Sequence, residues 1–283
     1  MATETIFPKK ADRASIYQYR VDVIVGEGGT GTVYRGLDPK SGTLVAVKLF
    51  RANFFRNALH QKDLARAVKK FAKLDHPNVV KIHEFLSGKE GEAIVLEYVD
   101  GPDLRWYLNN RPFVLNERLV IAAQICNGLG YLHEKGFIHH DLKPGNVLFT
   151  RKGQAKLCDF SLSGTNPLLN LLDGRGMEQF TPMYVCPEIV RKEKATPLSD
   201  LYSLGAMFYL MFALKTPFDS DNLQHLYLCH LQVVPVHPSL VNKECPRPLG
   251  DIIMKLLEKK PEKRFADCQQ ARIALSDVGK SRI

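Results

Sequence analysis

The sequence predicts an α+β, bilobal chain: a small, mostly-β N-lobe over residues 16–98, then a larger, mostly-α C-lobe over residues 99–278. Two observations carry this. Between Ile16 and Gly101 apolar residues alternate or run in short stretches broken by glycine and proline, whereas beyond Asn116 they recur at helical spacing. The 283 residues are also enough to bury two cores. Residues 1–15 and 279–283 read as tails, the first of them mobile.

The N-lobe opens with Tyr17, Tyr19, Val21, Val23 and Val25 alternating with polar residues, a strand pattern. Gly26-Glu-Gly-Gly-Thr-Gly-Thr-Val33 follows, then a second strand through Tyr34, a turn at Asp38–Gly42 and a third strand, Thr43–Leu49. A lone G-x-G-x-x-G also marks dinucleotide-binding folds, but there it opens a helix. Here it leads into a strand, so Gly26, Gly28 and Gly31 cap a hairpin whose backbone can come close to phosphates. Lys48 ends an apolar Val45-Ala-Val run, where an ammonium needs an anionic partner. Residues 61–74 read as a helix with Leu64, Val68, Phe71 and Leu74 on one face. His76-Pro-Asn-Val-Val80 ends it, and Ala93–Gly101 reads as a last strand running into a glycine-broken linker.

The C-lobe begins with a 3.6-period stripe, Leu119, Ala122, Ile125, Cys126, Leu129 and Leu132, stopped at Gly136. Phe137-Ile-His-His-Asp-Leu-Lys-Pro-Gly-Asn-Val-Leu-Phe149 then sets an acid, a lysine and an asparagine at fixed offsets in an apolar frame. A hairpin at Arg151–Gln154 returns Asp159 beside Asn146. Phosphoryl transfer needs these groups: Asp141 to orient a hydroxyl, Lys143 to neutralise charge, and Asn146 with Asp159 to hold a metal. An Asp–Asn pair alone is more often turn chemistry; behind a glycine hairpin and a strand lysine it reads as a site. The apolar run Leu201–Leu214 is too short for a span of about 20 residues and reads as a buried helix.

Bulk properties exclude several classes. Hydrophobic residues make up 45% and charged residues 24%, so the chain is not a disordered polymer. The net charge of +9 is spread over faces at helical spacing, at Lys62–Lys73 and Lys255–Arg264, which speaks against a nucleic-acid partner. Six cysteines without C-x-x-C or metal-ligand spacing fit reduced thiols in a cytoplasm. Residues 1–15 hold no apolar core for a secretion signal.

The stretch His139-His-Asp-Leu-Lys-Pro-Gly-Asn146, with Cys158-Asp-Phe-Ser161, resembles the catalytic core of protein kinases, His-Arg-Asp-Leu-Lys-Pro-x-Asn followed by Asp-Phe-Gly. Three later matches extend the likeness over about residues 16–278: Thr181-Pro-Met-Tyr-Val-Cys-Pro-Glu188, Ser199-Asp-Leu-Tyr-Ser-Leu-Gly205 and Lys260-Pro-Glu-Lys-Arg-Phe265. The likeness is strongest to bacterial, eukaryotic-like (Hanks-type) serine/threonine kinases. It implies transfer of the ATP γ-phosphoryl group to a protein Ser/Thr hydroxyl, with Mg²⁺ (Mn²⁺ as the alternative) held by Asn146 and Asp159. Lys48 would hold the α/β-phosphates, and Val33 and Ala46 would cover the adenine. Val25 and Leu148 join the nucleotide-binding set, and the backbone of Glu97 and Val99 would bond the adenine edge. The likeness further implies that Asp200 hydrogen-bonds the catalytic loop and that Arg264 pairs with Glu188.

The pattern is broken at several points. His140 stands for the arginine that receives an activation-loop phosphate, which predicts weak dependence on that phosphate. Ser161 stands for a glycine. Counting nine residues back from His76, where the lysine's helix glutamate belongs, gives Ala67; Asp63 is the nearest carboxylate. Phe180 and Cys186 are further substitutions. The alternative reading is a pseudokinase, a nucleotide-binding or scaffolding module. Leu168, Leu169, Leu171 and Leu172, apolar for an exposed loop, suggest a short helix against the small lobe or local packing on the second.

Overall fold

A computed structural model describes residues 9–52, 58–111, 114–159 and 181–280. The leucines at 168–172, Phe160, Ser161, Phe180 and the Asp63 side chain lie outside the described residues. The chain divides into two compact units, with the break between Gly101 and Pro102.

The first unit is built on an antiparallel sheet. Its strands are β1 (Lys9–Lys10), β2 (Ser15–Ile16), β3 (Tyr19–Gly28), β4 (Gly31–Leu37), β5 (Leu44–Phe50), β6 (Ile82–Gly88) and β7 (Gly91–Glu97). The order is β1-β3-β4-β5-β7-β6, with β2 also on β3. Alternation along the strands sorts the side chains: Ile24, Tyr34, Val45, Val47 and Val95 bury one face with Tyr19 and Val21. The helix α1 (Ala58–Phe71) lies beside β6 and buries Leu64, Ala67, Val68 and Phe71. It starts and ends three residues earlier than periodicity suggested, because the chain leaves the helix in a turn ahead of Pro77, and Leu74 stays buried there. The expected tail 1–15 also needs correction. Lys9 and Lys10 pair with Ile24 and Val23, so strand structure begins ahead of residue 16.

The second unit is mostly helical: α2 (Leu104–Asn110), α3 (Leu115–Glu134), a hairpin of β8 (Val147–Phe149) and β9 (Ala155–Leu157), then α4 (Pro187–Val190), α5 (Pro197–Ala213), α6 (Leu223–Gln232), α7 (Pro238–Val241), α8 (Arg247–Leu256) and α9 (Cys268–Lys280). The apolar run forms α5, opened by Pro197 and a capping box between Thr196 and Ser199. It buries Leu201, Tyr202, Leu204, Met207, Phe208, Met211 and Phe212 almost completely, each worth about 1.5–3 kcal/mol. α3 buries the predicted stripe and ends at Gly136, whose φ of +79° suits glycine. Gly136 N–H donates to the His133 carbonyl and Phe137 N–H to the Leu132 carbonyl, a Schellman closure that turns the chain into the stretch from 137 to 149.

Candidate active site

In the first unit, strand register builds the glycine hairpin and the lysine together. Gly28 pairs with Gly31 across a two-residue turn, and Gly26 pairs with Val33. Val33 in turn stands opposite Lys48. Ala46 lies two residues before Lys48, so Gly26, Val33, Ala46 and Lys48 share the face away from the buried cluster. Val25 falls where the β3–β4 register shifts between Ile24 and Gly26, a bulge that re-aims the strand just before the glycines. Gly31 is required by the sheet itself: a Cβ there would sit 2.1 Å from the Leu49 carbonyl oxygen. Glu97 donates its N–H to the Lys81 carbonyl at 2.8 Å, and Val99 is buried.

In the second unit, the loop after α3 gathers the polar residues. Lys143 Nζ lies 2.6 Å from Asp141 Oδ2. The Asn146 amide donates to the Asp141 carbonyl at 2.7 Å and to Asp141 Oδ2 at 3.0 Å. Asp141 is thus gripped from two sides while its side chain keeps 32% exposure, enough to meet a substrate. The Cys158 N–H donates to the Asn146 carbonyl at 3.0 Å, so Asp159 follows directly beside Asn146. Asp159 is exposed, with φ of +52°. Leu148, half-buried on β8, pairs with Lys156 and bridges to Asp103.

The loop hangs from α5. Asp200, buried near the start of that helix, accepts from His139 N–H at 2.7 Å and His140 N–H at 2.9 Å, and lies 2.8 Å from His133 Nε2. Burial alone would raise the Asp200 carboxyl; the His133 hydrogen bond and the neighbouring imidazoles outweigh it and hold it below its usual value. His140 takes a left-handed backbone, φ +66°, immediately before Asp141. Burial lowers the pKa of its imidazole, and its buried Nδ1 has no hydrogen-bond partner among the described residues. Further on, Arg264 Nη2 lies 2.6 Å from Glu188 Oε1, with both side chains almost wholly buried. Arg264 also donates to the carbonyls of Leu198, Glu258 and Lys259.

The protein kinase domain family matches residues 19–274. The chain belongs to that family. It is 32% identical over 273 residues to the "probable serine/threonine-protein kinase PknB" of Lactococcus lactis, covering 93% of this chain and 42% of that one. To the serine/threonine-protein kinase PksC of Streptomyces coelicolor it is 30% identical over 265 residues, covering 90% and 48%. The chain therefore spans less than half the length of these relatives. The crystal structure of the Mycobacterium tuberculosis PknI kinase domain superposes with a TM-score of 0.75 at 24% identity, covering 94% of this chain and 98% of that one. It shares the bilobal α+β kinase fold.

Membership in the kinase family implies ATP and a divalent metal. The donor set fits a hard cation. Asn146 spends its amide nitrogen on Asp141, which leaves Oδ1 as the ligand atom, and Asp159 adds a carboxylate beside it. Among the described residues no cluster of three or more His, Cys, Asp or Glu could cage a metal. Two protein oxygens completed by phosphates can hold a divalent cation without such a cage. No helix of the described residues is long and apolar enough to cross a membrane. Sequence reasoning missed His133. A histidine in the last turn of α3, just ahead of a glycine stop, was the available signal.

Proposed function

We propose that this chain is an ATP-dependent serine/threonine protein kinase that transfers the γ-phosphoryl group to a protein hydroxyl. The observation that carries the reading is Asp141, its carboxylate gripped by Lys143 and Asn146 in a loop hung from Asp200. Asp141 orients the acceptor hydroxyl and takes its proton at a carboxylate oxygen. Lys143 offsets charge as it builds on the transferring group. Lys48 binds the α/β-phosphates, the hairpin of Gly26, Gly28 and Gly31 covers them, and Val25, Val33, Ala46 and Leu148 with the backbone of Glu97 and Val99 hold the adenine. Asn146 and Asp159 hold Mg²⁺, or Mn²⁺ in its place, which supplies charge neutralisation at the phosphates. The domain runs over 16–278, with Lys9–Lys10 adding an edge strand ahead of it.

The partly buried imidazole of His140, whose Nδ1 has no hydrogen-bond partner among the described residues, supports weak dependence on activation-loop phosphate. Burial keeps it neutral, and a neutral imidazole offers no fork for a phosphate. Six free cysteines, five of them buried, support a reducing cytoplasm. The test is transfer of radiolabel from γ-labelled ATP with Mg²⁺ to the chain itself and to casein. The expected result is incorporation by the unaltered protein and its loss in Asp141→Asn; equal signal from both, or none from either, refutes the proposal.

A further inference from the structure

We infer that Cys268 is a positioning residue for phosphoryl transfer, which rests on the reading of Asp141 as the group that receives the acceptor hydroxyl. Its thiol donates to His133 Nδ1, fixes the imidazole that steadies Asp200, and so sets the loop that carries Asp141. Cys268 opens α9, and its Sγ lies 3.6 Å from Nδ1 of His133 in the last turn of α3. The other ring nitrogen, Nε2, lies 2.8 Å from Asp200 Oδ2. That same Oδ2 takes His139 N–H at 2.7 Å and Oδ1 takes His140 N–H at 2.9 Å, and Asp141 is next in sequence. Cys268 is 1% exposed, and the side chains of His133 and Asp200 are 10% and 2% exposed, so water cannot readily replace any member.

Chemistry assigns the protons along this line. Asp200, held below its usual value, is a carboxylate that only accepts, so Nε2 carries the proton between them. Nδ1 is then a bare acceptor in a buried place, where a missing donor is costly. Burial pushes the Cys268 thiol well above its ordinary value, so the sulfur keeps its proton and supplies that donor. A donor on one side and an acceptor on the other hold His133 in a single tautomer and orientation. The packing of α3 on α9 allows the approach. Gly130 stands one turn before His133, and a Cβ there would come within 3.3 Å of Cys268 Cβ, tighter than ordinary contact. Glycine is unfavourable inside a helix; here it lets α9 close on the histidine. Cys126, one turn earlier on α3, is buried near Cys268 but lies outside this line of hydrogen bonds.

The test has three readouts on the whole chain. Imidazole ¹⁵N spectra, with the His133 signal identified by its loss in His133→Gln, should show Nε2 protonated and Nδ1 bare; a proton on Nδ1 overturns the inference. This arm uses the unaltered protein and does not depend on any Cys268 variant folding. Amide hydrogen exchange at His139 and His140 should quicken about fivefold in Cys268→Ala, the size expected of one neutral hydrogen bond, and kcat should fall about fivefold with the KM for ATP unchanged. Cys268→Ser keeps a donor of nearly the same reach and should restore both to within about twofold of the parent. Cys126→Ala removes a buried sulfur beside the line without touching it and should change neither. Exchange that Cys268→Ala leaves unchanged overturns the inference, and so does a serine variant no better than the alanine one. Equal effects of Cys126→Ala and Cys268→Ala reduce the thiol to packing and overturn it as well. Phosphate transfer with kcat unaltered in Cys268→Ala sinks the inference alone. The expected exchange and tautomer without any transfer by the parent uphold the hold of Cys268 on the loop and sink the functional reading.

Discussion

Asp200→Asn tests the way the catalytic loop is held. The carboxylate serves three groups: Oδ2 meets His139 N–H and His133 Nε2, and Oδ1 meets His140 N–H. An amide has one oxygen. With that oxygen turned to Oδ2's partners, the new NH₂ faces His140 N–H, donor against donor. One charge-assisted bond of about 1.5–3 kcal/mol is lost, and an N–H is orphaned at about 1–3 kcal/mol more, roughly 3–5 kcal/mol together. The released residue already carries a left-handed backbone that costs about 1–2 kcal/mol, so His140 relaxes and Asp141 moves with it. Misplacement by about 1 Å can cost about 100-fold in rate. Thermal unfolding should fall by about 10 °C, at roughly 2–4 °C per kcal/mol for a domain of this size, and kcat for peptide phosphorylation by about 100-fold. The acid limb gives a second readout. The folded Asp200 carboxyl lies below its unfolded value, so its contribution is complete above about pH 4 and drains away as pH falls through the folded value. Asp200→Asn should lack that loss. A variant with kcat within about threefold and Tm within about 2 °C of the parent would refute the reasoning.

Arg264→Met strands the buried Glu188 carboxylate and should cost about 3–5 kcal/mol in urea unfolding; adding Glu188→Gln should recover part of it, and strict additivity would count against the pair. His230, buried against Tyr202 and Phe218, is pushed down to about 3 by burial first and the Lys259 charge second. Its neutral form is the folded one, so its share of stability is whole above about pH 6.5 and declines by about 1.4 kcal/mol per unit as pH falls towards 3; urea unfolding of His230→Gln should show a shallower decline over that range. Ala67 is 9% exposed on the buried face of α1. Ala67→Glu should therefore lower Tm by several degrees unless the new carboxylate pairs with Lys48, in which case a further Lys48→Met should lower Tm more than it does in the parent.

What could be read in advance was whatever local pattern determines. The glycine hairpin, the α3 stripe with its Gly136 stop and the buried run of α5 each follow from neighbours in sequence, and each is present. The offsets from Asp141 to Asn146 likewise place three polar groups within one loop, so their meeting could be foreseen. Asp200 and Arg264 were legible only through the family likeness, because their partners lie some 60 or more residues away. Less legible were groups that act through tertiary packing. His133 looks like one more position on a helical stripe until α5 brings Asp200 against it. Arg105 looks like a surface charge in the first turn of α2; its guanidinium packs close to Gly145 only because the 144–146 turn lies against it. The paired Lys9–Lys10 was missed for a related reason. Two lysines carry no strand propensity, and it is the free edge of β3 that recruits them.

The departures from the kinase pattern differ in what they can affect. An arginine at position 140 would couple the loop to a phosphate through its side chain. In this chain the loop is fixed through the backbone at the same residue, by His140 N–H on Asp200, and through His139 one residue earlier. Those bonds do not depend on the identity of the side chain. The imidazole can therefore be neutral and partly buried without loosening Asp141. A histidine at position 140 offers no fork for a phosphate, while its backbone N–H keeps the anchor on Asp200. If the proposed function holds, the carboxylate of Asp141 is placed by folding alone, through the hold of Asp200 on the two backbone N–H groups ahead of it.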